Sequence, residues 1–426
     1  MSWSPRGAAA AVAVRAAGSL ARGLGAGAGT VIGGRVGLGL DPGLLERLGS
    51  KRRTAVVSGT NGKTTTTRLL AAAIQASSDP DDPVVTNAAG SNMPAGLVAA
   101  LAAGRPGAPA VLEVDEGYLP RALSALAPQA ALLLNLSRDQ LDRTSEVRML
   151  SNRWRDALGG APGTTAVANA DDPLVVWGAG TAHRVVWVAA GLNWTSDAAG
   201  CPACSGRITF ASAPGGGWSC QCGFSRPDPD VTVSHDAAGR TWSVGRDGRR
   251  LSVELALPGR FNASNAVMAA SAAGVLGVDP AAALQAMAAV GSVGGRFSVR
   301  DIAGVRTRLL LAKNPSGWRE LLDLVAGERR PVVVAINSRV ADGCDPSWLW
   351  DVELERLRGR VVVAAGERAH DLAVRLRYAE VEHRTCTDTV RAVAEAAASS
   401  KVSEDEDVAV DLIANYTAFF DLAGRR

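Results

Sequence analysis

Ser58-Gly59-Thr60-Asn61-Gly62-Lys63-Thr64-Thr65 is the stretch whose residue types carry the most chemistry. It follows the β-rich run Thr54 to Val57 and opens a segment of helical composition. The glycine-rich turn can present backbone N–H groups, and the positive end of the next helix faces the same point. Phosphate oxygens suit that point: Lys63 neutralises their charge, and the Thr64 hydroxyl can hold Mg²⁺. The usual phosphate loop has a glycine where Val57 stands, so this is a variant with Gly59 nearer the lysine. The other reading is an ordinary strand-to-helix turn, which has no use for Lys-Thr.

Further polar groups fall at the ends of apolar runs, where parallel sheets present ligand-contacting residues. Glu113-Val114-Asp115-Glu116 ends one such run, and one carboxylate there could hold magnesium; the alternative is that these acids cap and solvate the next helix. Asn135 to Arg143 and Asn169-Ala170-Asp171-Asp172-Pro173 end two more. Asn262 and Asn265, three apart, share a helix face and could read an adenine edge. Cys201-Pro202-Ala203-Cys204 and Cys220-Gln221-Cys222, fifteen residues apart, have nearly the spacing of a four-thiolate zinc ribbon, with chance or redox cysteines as the alternative. The second pair is one residue shorter than usual. Four thiolates would leave no open coordination position, so a zinc here is structural.

These residues need a large scaffold, and 426 residues supply two or three cores. With 47% hydrophobic and 20% charged residues the chain should fold, and a net charge of +3 gives no support to a general nucleic-acid binder. Arg15 and Arg22 interrupt the apolar run after Arg6, which argues against a signal peptide, and no stretch offers a transmembrane anchor. A cytoplasmic location is expected. Short apolar runs at Thr54–Val57, Pro83–Thr86, Ala110–Val114 and Ala130–Leu134 alternate with helix-like segments, the pattern of an α/β fold with a mostly parallel sheet. The rhythm breaks at the Cys-, Gly- and Pro-rich stretch, then resumes. The expected organisation is an N-terminal helix and Gly-rich linker (1–50), a central phosphate-loop domain (51–298) with a ribbon insertion at about 198–226, and a smaller Rossmann-like α/β domain (299–426).

In this order the motifs resemble the Mur ligase family. The resemblance implies that Ser58 to Thr65 is the ATP loop, Glu113 a magnesium carboxylate, Asn135 to Arg143 a magnesium and substrate segment, and Asn262 to Asn265 an adenine-side element. Gly295-Arg296-Phe297 resembles the family's exit to its last domain. Gln140 and Phe261 stand where typical members carry histidine, and no lysine lies between Lys63 and Lys313. The carbamylated lysine of typical amino-acid-adding members therefore has no counterpart there.

The ribbon, with Lys313 to Gly317, Asp342 to Asp351 and Asn415-Tyr416-Thr417-Ala418, is similar to the MurT family, the ligase subunits of lipid II isoglutaminyl synthases. This implies ATP-dependent amidation of the D-glutamate α-carboxylate of the lipid II stem peptide. Ammonia would come from a GatD-type class I glutaminase in a heterodimer, at the inner face of the membrane. It also implies that an aspartate, Asp345 first and Asp342 or Asp351 otherwise, completes the partner's Cys-His-Asp triad. Read by itself, Asp345 before Pro346 is first a helix N-cap, and it is the resemblance that puts the triad role ahead. Cys344 and Cys386 form no recognisable nucleophile motif with the four histidines, so no glutaminase site is expected in this chain alone. Two other classes stay open: a stand-alone Mur or folylpolyglutamate-type amino-acid ligase, and a non-catalytic nucleotide- and zinc-binding interaction protein.

Overall fold

The computed structural model describes residues 5–23, 30–50, 52–78, 82–87, 91–138, 147–211, 217–236, 240–291, 297–326, 328–399 and 408–423. They fall into two compact units, one of residues up to Ser137 and from Ser145 to Gly291, the other of Arg138–Thr144 and the residues from Ser292 onward. The division lies a few residues before the 298/299 boundary expected from sequence.

The first unit begins with three helices, α1 (Pro5–Gly23), α2 (Thr30–Leu40) and α3 (Leu44–Gly49). The sequence reading placed a Gly-rich linker where α2 and α3 stand. Glycine is a poor helix former, and α2 holds its shape by packing against α1 and its neighbours. The α/β rhythm then runs through β1 (Thr54–Ser58), α4 (Lys63–Ala76), β2 (Val85–Thr86), α5 (Pro94–Ala103), β3 (Ala110–Glu113), α6 (Leu119–Leu126), β4 (Ala130–Leu133), α7 (Val147–Gly159), β5 (Thr165–Asn169), α8 (Pro173–Ala179) and β6 (Arg184–Ala189). The two-stranded β7 (Ile208–Phe210) and β8 (Trp218–Cys220) form the cysteine-bearing insertion. After them come β9 (Val231–His235), β10 (Thr241–Gly245), β11 (Arg250–Val253), α9 (Arg260–Val275) and α10 (Pro280–Met287).

The main sheet has the order β11-β10-β9-β6-β5-β4-β1-β3-β2. It is parallel from β2 to β6, and antiparallel among β9, β10 and β11. Strands β1, β3, β4 and β5 are buried at every position, which is why they read as short apolar runs without alternation. Leu112, Leu133 and Trp154 anchor the core on one face.

In the second unit β12 (Phe297–Ile302), β13 (Val305–Leu311), α11 (Pro315–Val325), β14 (Val332–Ala335), β15 (Val362–Ala365), α12 (Ala369–Tyr378), β16 (His383–Cys386), α13 (Thr389–Ala398), β17 (Val410–Ala414) and α14 (Tyr416–Ala423) form a six-stranded sheet in the order β12-β13-β17-β14-β15-β16. Only β12 runs antiparallel. Trp318 of α11 and Leu372 of α12 pack one face; Val393 of α13 and Phe419 of α14 pack the other. That is the doubly wound arrangement expected. Arg308 on β13 grips Asp411 on β17 with two hydrogen bonds of 2.7 and 2.9 Å, a buried pair that ties neighbouring strands.

Candidate active site

Strand β1 ends at Ser58 and α4 starts at Lys63, so four residues make the turn between them. Gly59 has φ +142° and Gly62 φ +86°, conformations that side chains rarely adopt. Space forbids a side chain as well. A Cβ on Gly59 would lie 2.9 Å from Leu134 Cβ, and one on Gly62 would lie 2.8 Å from Asn265 Oδ1. The variant spacing follows from this: the strained glycine sits where the chain leaving β4 crosses closest.

That crossing chain also braces the loop. Thr60 N–H donates to Asn135 O at 2.9 Å, Asn61 N–H donates to Asn135 Oδ1 at 2.9 Å, and Asn135 Nδ2 donates to Asn61 O at 3.1 Å. Ser137 N–H donates to Thr60 Oγ1, whose hydroxyl donates to Ser137 O, both at 3.0 Å. Asn135 thus holds the loop backbone with both ends of its amide. Behind it, buried Asp172 accepts from Leu136 N–H with one oxygen, and from Leu174 and Val175 N–H at the start of α8 with the other. Complete burial pushes its carboxyl up to about 6, although all three N–H donors pull the other way. The Asn-Ala-Asp-Asp-Pro element therefore fixes the chain that fixes the loop.

The charged groups converge at the start of α4. Lys63 Nζ donates to Gly59 O at 2.5 Å and Thr60 O at 3.2 Å, and pairs with Glu116 Oε2 at 3.0 Å. Thr64 Oγ1 donates to Glu113 Oε2 at 2.7 Å. All four side chains are buried. Glu113 is held at the end of β3 by Asn87, whose Oδ1 accepts Glu113 N–H and whose Nδ2 donates to Glu113 O, both at 2.8 Å. The Thr64 hydroxyl and Glu113 carboxylate offer two hard oxygen donors beside the helix N-terminus, a donor set that fits Mg²⁺. Asn265 lies against Gly62, while Asn262 Nδ2 donates to Pro258 O at 2.6 Å. Sequence does not single out Asn87, and Glu116 stands in it only as one acid of a run. No motif marks the first, and only the turn after β3 reveals which acid faces Lys63. Residues 139–143, with Gln140, and Gly295-Arg296 lie outside the described residues.

The four cysteines of the insertion come together: their sulfurs all lie within 4.8 Å of one another, with Cys201 and Cys222 at 3.8 Å and Cys204 and Cys220 at 3.5 Å. A tetrahedral site with Zn–S bonds of about 2.3 Å has sulfurs about 3.8 Å apart, so the cluster fits zinc. A positive φ at Gly223 turns the shortened second pair back toward the first. The Phe224 N–H and the Cys204 thiol hold the Cys222 thiol down at about 7. We expect one zinc per chain by elemental analysis, and Cys204→Ser or a strong chelator should lower the melting midpoint by roughly 5 °C or more. An unchanged midpoint in a zinc-free chain would remove the metal's structural role.

In the second unit, Asp345 caps the 3₁₀ turn Pro346–Asp351 by accepting Ser347 N–H at 2.8 Å, and it is exposed. Asp342 is buried and committed: its oxygens accept Thr417 N–H at 2.8 Å, the Thr417 hydroxyl and Arg339 N–H. This contact gives the Tyr416-Thr417-Ala418 element a task, since it pins the loop that carries Asp345. Asn314 likewise caps α11 through Gly317 N–H. Trp348 is buried near Trp318, whereas Trp350 is exposed beside Tyr378.

Family models match in both units: the Mur ligase middle domain over residues 57–196 and the MurT ligase C-terminal domain over 311–419. The chain is 28% identical over 376 residues to the "Lipid II isoglutaminyl synthase (glutamine-hydrolyzing) subunit MurT" of Staphylococcus aureus (strain COL), covering 83% of this chain and 84% of the relative. It is 27% identical over 390 residues to the protein of the same name from Streptococcus pneumoniae (strain ATCC BAA-255 / R6), covering 85% of each. Among solved structures, a pseudomurein peptide ligase type C from Methanothermus fervidus superposes with a TM-score of 0.65 at 20% identity, over 87% of this chain and 77% of that one. That likeness is one of fold. No helix among the described residues is long and apolar enough to cross a membrane. Sequence relatives spanning most of the chain agree with the architecture of each unit: a Mur ligase middle domain and a MurT-type C-terminal domain, the make-up of an ATP-dependent ligase similar to the MurT subunits.

Proposed function

We propose that the chain is the ligase subunit that amidates the D-glutamate α-carboxylate of the lipid II stem peptide to D-isoglutamine. The observation that carries this reading is the Lys63, Thr64 and Glu113 constellation at the head of α4, in a chain whose relatives are isoglutaminyl synthase subunits. A carboxylate at neutral pH is a poor acyl donor. Its oxygen attacks the γ-phosphorus of ATP, ADP leaves, and the resulting acyl phosphate has a good leaving group. Ammonia adds to the carbonyl carbon, phosphate departs, and the nitrogen loses a proton. Lys63 and the N–H groups of Gly62, Lys63 and Thr64 at the head of α4 stabilise charge on the transferring phosphoryl group. Thr64 and Glu113 would hold Mg²⁺, which offsets charge on the β- and γ-oxygens. Asn262 and Asn265 take the adenine side.

Residues 51–298 form the ATP-using domain in this reading, and 299–426 meet a GatD-type glutaminase that supplies ammonia. Cys201, Cys204, Cys220 and Cys222 hold a structural zinc. Asp345 orients the partner's catalytic histidine; its exposure and the immobilised loop beneath it support this role, and the commitment of Asp342 to Thr417 leaves Asp345 and Asp351 as the candidates. A lipid-linked substrate would bring the enzyme to the inner membrane face without an anchor.

Lipid II amidation and ATP hydrolysis should be measured with free ammonia, and with glutamine in the presence or absence of the glutaminase. Ammonia should support amidation by this chain, and glutamine should do so only with both chains. Amino acids replacing ammonia as acceptor would make it a stand-alone ligase. ATP binding with no substrate-dependent turnover would make it an interaction protein.

A further inference from the structure

Helix α2 is built inside out. Its inward face is glycine: a Cβ on Gly34 would lie 1.8 Å from Ala95 O of α5, and one on Gly33 would lie 2.5 Å from Val14 O of α1. Its outward face is apolar: Val31, Ile32, Val36 and Leu40 are exposed, with spacings of four or so that keep them on one side. A helix that only faces water has the reverse distribution. Helix α1 continues the surface with Val12 at 57% and Leu20 at 66% exposure. Six large aliphatic side chains on two adjoining helices therefore face outward together, and nothing in the fold of this unit requires them there.

Charge identifies the occupant. Residues 1–40 contain Arg6, Arg15, Arg22 and Arg35 and no Asp, Glu or Lys, so this segment carries more positive charge than the +3 of the whole chain. Arg15 and Arg35 lie on the exposed faces among the aliphatic side chains. Apolar side chains flanked by arginine, without acids, match a layer of anionic headgroups above hydrocarbon. A second copy of the same face would set arginine against arginine. Neither helix can span a bilayer, so the contact is interfacial. We propose that the outward face of α1 and α2 docks this chain on an anionic lipid surface, with Val31, Ile32, Val36, Leu40, Val12 and Leu20 entering the headgroup boundary and Arg15 and Arg35 on lipid phosphates. The proposal stands on this surface and does not require the amidation chemistry.

Flotation of the full chain with phosphatidylcholine vesicles, with and without about one-third phosphatidylglycerol, tests it. We expect binding to the anionic vesicles at least about tenfold above the neutral ones, weakening with salt. The triple variant Ile32→Ser, Val36→Ser, Leu40→Ser should lose that binding about tenfold or more, with an unchanged melting midpoint. Arg15→Glu with Arg35→Glu, which leaves the aliphatic face intact, should do the same. Failure of the unaltered chain to float, or flotation of either variant equal to that of the unaltered chain, overturns the proposal. So does a lipid-free dimer that the triple variant turns into a monomer, since a second copy would then cover the face. A water-soluble, short-tailed substrate separates the two readings: its turnover should be the same in the triple variant and the unaltered chain. No turnover by either would count against the proposed function, while the flotation result would stand.

Discussion

Lys63→Ala should reduce ATP-dependent turnover by about 10³-fold or more, with ammonia or glutamine as nitrogen source. The ammonium lies at the N-terminus of α4, and it contacts backbone carbonyls and a carboxylate, which cannot replace it. The single variant also strands Glu116, a carboxylate only 11% exposed whose cation has gone. Removing one partner of such a pair costs about 3–5 kcal/mol. Loss of activity could then reflect loss of fold. The double variant Lys63→Ala, Glu116→Gln removes the stranded charge and should recover the melting midpoint while staying inactive. Recovery of turnover in the double variant would show that Lys63 serves the fold and not the phosphoryl group.

Asp345→Asn should lower glutamine-driven amidation by about 10² to 10⁴-fold and leave the ammonia-driven reaction unchanged. The substitution keeps an oxygen able to accept Ser347 N–H, so the turn it caps is preserved. What it removes is the charge that would stabilise an imidazolium on the partner and fix its tautomer. A purely structural Asp345 would lower both activities together. Asp351→Asn serves as the comparison, because Asp351 is also exposed on the same turn, where it pairs with Arg138 at 3.4 Å. If only Asp351→Asn shows the split, the triad residue is Asp351.

Much of the site was legible in the sequence because each motif obeys a local rule. The glycines of the loop answer to backbone dihedrals and the lysine follows them at fixed spacing, so Gly59 to Thr64 can be recognised without knowing what surrounds them. The cysteine spacing similarly foretold that the four sulfurs would meet. Asn135 is a different case. Its position after β4 was readable, but its two-way hold on Asn61 depends on β4 lying beside β1, which is set by sheet order. Asn87 carries no local signal, since it acts only by pairing with the backbone of Glu113 on a neighbouring strand. Helix α2 was missed for a related reason: glycine composition reads as linker, and only contact with α1 and α5 supplies what propensity lacks.

By itself the chain determined the parallel strands, the phosphate loop, the thiol cluster and the division into two α/β units, because burial on both faces and turn stereochemistry leave marks on consecutive residues. Tertiary structure alone decided which acid pairs Lys63, which aspartate near 345 is buried, and which face of α2 meets solvent. Those choices rest on contacts between residues far apart in the chain, and no short-range periodicity encodes them.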